Sequence, residues 1–118
     1  MTYSQDLANG KINIKPYALT AGVTAEIDLE GGTLAGVLLE ANITSTTFTV
    51  TVARTSGGTF VTCKDPEAAG IAKTYTVGAT STGYFPISPL LTAGFRFCKI
   101  TFDSSETPTI YVSRRSMQ

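Results

Sequence analysis

The chain contains no histidine. That absence removes the commonest general base and the commonest metal ligand, so neither a Ser-His-Asp nor a Cys-His site can be built. Cysteine is nearly absent too: Cys63 and Cys98 are the only two, and each lies in a strand-like run, FVTCKD and FRFCKI. Isolated cysteines without histidine lack the usual metal ligand set. They read as buried free thiols, with a disulfide as the alternative. Charge is scarce, at 15 % of residues, and nine basic residues balance nine acidic ones. Without a basic excess the electrostatic footprint of nucleic-acid binding is missing. A neutral surface repels its own copies little, which favours association. No stretch approaches the roughly 20 apolar residues of a membrane span. The opening MTYSQDLANGK lacks the charged region and apolar run of a signal peptide. The expectation is a protein made in a cytoplasm, with reduced cysteines and no membrane, nucleic-acid, metal or cofactor partner.

What is present is β-patterning. Apolar residues recur with a period of two, and turn residues interrupt them every 8 to 12 positions. Hydrophobic content of 42 % suits a folded core, and 118 residues suit one domain. Residues 1–10 are polar and unpatterned and read as an N-terminal arm; residues 11–118 read as a single domain. KINIK is a candidate first strand, stopped by Pro16. Residues 23–29 alternate, with Val23, Ala25, Ile27 and Leu29 on one face. TLAGVLLE is nearly all apolar and reads as a strand covered on both faces. TTFTVTVA is the cleanest alternation, with Phe48, Val50 and Val52 inward and threonines outward. After Ser56-Gly57-Gly58, FVTCKD returns as its hairpin partner.

Residues 66–72 form a loop with room for one helical turn, KTYTV is a short strand, and residues 78–83 are a small-residue loop. Pro86 and Pro89 frame a corner, beyond which Leu90 and Leu91 are expected to plug one end of the fold. FRFCKITFD has apolar residues of both parities. A β-bulge near Phe97 and Cys98, or a strand buried on both sides, explains the switch. TIYVSRR closes the sheet, with Ile110 and Val112 opposite Tyr111. The sum is an all-β, antiparallel sandwich of about eight or nine strands, jelly-roll or Greek-key-like, with an extended arm.

Few constellations suggest chemistry. Glu26, Asp28 and Glu30 share a strand face in this reading and could hold a cation or flank a glycoside, but a solvated face is the plainer account. Asp103 and Glu106 bracket a Ser-Ser turn and read as local hydrogen-bonding groups. Asn42-Ile43-Thr44 matches a glycosylation sequon, read here as chance. Candidate partner contacts are Tyr3 and Leu7 in the arm, Tyr17, and the basic pair Arg114 and Arg115 beyond the last strand.

GTLAGVLLE, GYFPISPLLTAGFRFCKI and SETPTIYVSRR together resemble small β-sandwich virion proteins of tailed bacteriophages and prophages. Such proteins share a glycine-led apolar strand, a late aromatic-proline segment, a strand ending in Arg-Phe-x-Lys-Ile and a final basic strand. The likeness spans most of residues 32–115. It implies a capsid decoration, or cement, protein on the capsid surface of a virion assembled in a bacterial cytoplasm. The expected partners are the major capsid protein and further copies of the chain, as a homotrimer. A head-fibre, tail-accessory or host-recognition module is the alternative.

Overall fold

The computed structural model describes residues 12–78 and 82–115. The arm of residues 1–10, with Tyr3 and Leu7, lies outside them. Among the described residues nine strands run in order: β1 (Ile12–Ala18), β2 (Ile27–Asp28), β3 (Thr33–Leu39), β4 (Thr47–Ala53), β5 (Val61–Thr62), β6 (Thr74–Thr76), β7 (Gly83–Pro86), β8 (Phe97–Phe102) and β9 (Thr109–Arg115). One sheet has the order β1-β9-β3-β7. The other has the order β2-β8-β4-β5, with β6 also on β4. All pairings are antiparallel. The pairs nest: β1 with β9, β2 with β8, β3 with β7, and β4 with the β5 and β6 that follow it. Folding such a nested hairpin over into two layers is the jelly-roll arrangement.

The period-two pattern builds the core. β4 places Phe48, Val50 and Val52 inward, and β8 answers with Phe102, Ile100 and Cys98 directly opposite. From the other sheet come Val37, Ile110 and Val112, all buried. Each such side chain contributes about 1.5–3 kcal/mol when fully removed from water. Phe48 is the aromatic centre. It stacks on Tyr75 at 5.0 Å, meets Phe85 edge-on at 5.9 Å and leans on Phe102 at 5.3 Å. The outer face of β4 carries Thr47, Thr49 and Thr51, paired with Thr76, Thr74 and Thr62.

Several expectations are corrected. Pro16 does not stop β1, which continues to Ala18. An edge strand tolerates proline because one of its sides needs no donor. The strand expected over residues 23–29 shrinks to Ile27 and Asp28. Thr24 is buried instead, its hydroxyl accepting from the Ile100 N–H at 3.1 Å. β8 keeps an unbroken register with β4, so the apparent change of parity needs no bulge; Phe95 lies ahead of the strand. The register shift is in β3, between Leu34 and Gly36. That bulge puts consecutive residues of β3 under cover, as its apolar sequence suggests. The loop of residues 66–72 forms turns and closes with a bridge between Ala72 and Lys64, without a helical turn, and a short 3-10 helix forms at Pro89–Leu91. Leu91 packs on the core, but Leu90 plugs nothing, being 81 % exposed.

Candidate interaction surfaces

Opposed residues of antiparallel strands point to the same side of their sheet. On the outside of the four-stranded sheet the register therefore lays out two rows, Ile14-Ser113-Gly36-Pro86 and Pro16-Tyr111-Leu38-Tyr84. No charged residue stands in either row. Ile14 is 58 % exposed and Tyr84 50 %. The Tyr84 ring lies over Gly36, where a Cβ would collide with the phenol, and its hydroxyl donates to the Ala35 carbonyl at 3.2 Å. Glycine at 36 thus lets an aromatic ring lie flat on the sheet. At the end of the rows Ile12 stands opposite Arg115, the one charge in line with them.

A second surface crosses one end of the sandwich. A polar concavity of about 470 Å³ is formed by Glu30, Gly31, Gly32, Gly94, Phe95 and Arg96. A more apolar one of about 660 Å³ includes Tyr75, Leu90, Leu91 and Phe95, with Lys64, Asp65, Glu67 and Lys73 among its charged groups. Phe95 lines both.

The candidate residues from the sequence are scattered by the fold. Tyr17 is half-buried on the inner side of β1 and packs against the core; burial pushes its phenol pKa up. Arg114 and Arg115 belong to β9 itself, not to a tail beyond it. Arg114 faces the interior beside Ile110 and Val112 and is 2 % exposed. Its Nη1 donates to the Asp28 carbonyl at 2.7 Å and lies 3.3 Å from Glu30 Oε2, while Nη2 donates to Asn13 Oδ1. Its guanidinium therefore joins β1 to β2 and the turn that follows, and lies buried between the sheets. Period-two parity with Ile110 and Val112 was the signal for that placement. Arg115, on the opposite parity, is exposed. Tyr3 and Leu7 lie outside the described residues.

The acidic trio does not converge. Glu26 accepts from Gly57 N–H at 2.7 Å and Ser56 Oγ at 2.6 Å, and those bonds lower its pKa. Asp28 takes a two-point bond from Arg96, at 2.8 and 3.0 Å, which lowers its pKa. Glu30 sits at a left-handed φ of 53° beside Arg114. Each carboxylate thus serves a different local contact. Among the described residues no group of three or more His, Cys, Asp or Glu could hold a metal ion. Asn42 accepts from Thr82 through both its N–H and its hydroxyl. Cys63 and Cys98 are free and buried, and burial pushes the Cys98 thiol up to about 12, far from thiolate reactivity at neutral pH.

Sequence reasoning missed Leu38, Pro86, Leu90 and Phe95 as surface features. Ile14, Leu38 and Pro86 lie in different strands, and only the register brings them together. No family model, curated protein or solved structure gives a significant match to the chain.

Proposed function

We propose that this chain is a non-enzymatic structural protein of a tailed-bacteriophage virion that binds the outside of the capsid and bridges neighbouring major capsid protein subunits. The observation that carries this reading is the outer face of the four-stranded sheet, whose two rows carry no charge and end at Arg115, with Ile14 and Tyr84 half-exposed on it. Ile12, Ile14 and Tyr84 together present on the order of 300 Å² of apolar surface, a size at which monomer patches mark interaction sites. Burying it supplies on the order of 7 kcal/mol. Association costs of about 4–15 kcal/mol offset most of that, so one copy binds weakly. A homo-oligomer, a trimer by the resemblance, adds avidity without new chemistry. The jelly-roll core, neutral charge and resemblance in residues 32–115 support the same reading.

The test is co-sedimentation with empty, expanded shells of the source phage. The expected result is saturable binding that is lost in an Ile14→Asp, Tyr84→Asp double variant whose thermal midpoint is unchanged. Failure of the wild-type protein to co-sediment at saturating concentration would sink the reading.

A further inference from the structure

The more apolar concavity at the end of the sandwich has a volume of about 660 Å³, within the range of binding cavities. Val52 and Cys63, both nearly buried, line its inner side, with Leu91 packed on the core beside them. The Tyr75 ring stacks on Phe48 at 5.0 Å, and the Lys73 ammonium lies over it at 5.4 Å. Neither ring face is left for a sugar or another planar ligand, so the space suits an aliphatic group. The charged groups of the lining are Lys64, Lys73, Asp65 and Glu67, two of each sign. Such a surface is its own electrostatic complement. At its edge stands Leu90, 81 % exposed and the most exposed large hydrophobic among the described residues. Its short helix has no buried residue but is firmly held. The Thr33 hydroxyl donates to the Pro89 carbonyl at 2.6 Å, and the Leu34 N–H donates to Thr92 Oγ1 at 3.0 Å. Leu90 is thus an apolar knob on a fixed support beside an apolar hole.

We infer that this end is the surface through which copies of the chain associate, with Leu90 of one copy seated in the concavity of the next, against Cys63, Leu91 and Phe95. Knob and hole adjoin, so copies that meet about a rotation axis at this end fill one another's concavity. The lysines of one copy then face carboxylates of the other, and the zero net charge of the chain adds no repulsion. The inference rests on the homo-oligomer of the reading above and supplies its contact. It leaves the capsid-facing surface free, because no residue of the two outer-face rows lines the concavity. An oligomer joined here therefore presents several sheet faces at once, as avidity requires.

Sedimentation velocity of the purified full chain tests it, between about 1 µM and 1 mM, where small interfaces associate. An oligomer is expected, and Leu90→Asp is expected to raise its dissociation constant about tenfold or more. The substitution alters an exposed side chain that the core does not need, so the thermal midpoint of the dilute protein is expected to stay unchanged. A second readout needs no variant. Cys63 lines the concavity, its Sγ donating to the Leu91 carbonyl at 3.7 Å, whereas Cys98 is fully buried. Alkylation of Cys63 by iodoacetamide, followed by peptide mass, is expected to slow about fivefold or more as rising concentration drives association. In Leu90→Asp that dependence is expected to vanish. A wild-type chain that stays monomeric throughout overturns the inference and the homo-oligomer together. An oligomer that Leu90→Asp leaves intact, or Cys63 alkylation that is equal at all concentrations, overturns the inference alone. Co-sedimentation with shells judges the capsid reading separately.

Discussion

Arg114 carries a full charge into the space between two sheets, and three groups receive it there: the Asp28 carbonyl, Asn13 and Glu30. Its Nε has no hydrogen-bond partner among the described residues. Removing the side chain deprives that carbonyl and amide of their donor and leaves a cavity. Arg114→Ala is expected to cost about 2–4 kcal/mol in urea unfolding. Arg114→Met keeps most of the volume and removes the charge, and it is expected to cost clearly less. A midpoint for Arg114→Ala equal to wild type would mean that the tie holds nothing.

Among the elements, the two loops at the other end of the sandwich are joined by carboxylates. Glu106, only 6 % exposed, accepts through Oε2 from both the N–H and the hydroxyl of Thr44 and of Ser45, at 2.7–3.1 Å. Asp103 accepts from Thr46 and Thr47 alongside it. The Ser45 hydroxyl and its neighbours lower the Glu106 pKa, and the Thr46 hydroxyl does the same for Asp103. A depressed carboxylate contributes stability that is present above its unfolded-state pKa and is lost as pH falls through the folded one. Thermal midpoints are therefore expected to fall as pH drops below the ordinary carboxylate range, and Glu106→Ala is expected to be about 1–3 kcal/mol less stable near neutrality with a flatter acid limb. Midpoints that track wild type at every pH would contradict this. Much of the fold was legible at this scale. Phe48, Val50 and Val52 alternate in β4, and that strand is central in its sheet, so one-sided burial left a clean pattern. Residues 23–26 misled because the Thr24 hydroxyl replaces a ladder bond with a side-chain one. The outer-face rows were illegible because register, not local pattern, assembles them.

For the whole molecule, nesting sets the folding problem. The outermost pair, β1 with β9, joins residues almost a chain length apart, and only β4 with β5 is local. Refolding is therefore expected on the millisecond-to-second scale typical of non-local β topologies, measured by stopped-flow dilution from urea; completion in microseconds would contradict this. The same nesting has a consequence during synthesis. Ile12 leaves the ribosome before its partner Arg115 exists, and at about 5–20 residues per second the wait is roughly 5–20 s. Throughout it, β1 is an unpaired strand carrying two isoleucines, a template for the wrong neighbour. Lys15 and Pro16 sit in the middle of that strand, and a charge and a missing N–H are what blunt such a template. Pro16, read from the sequence as a stop, acts in this light as a guard on the nascent chain.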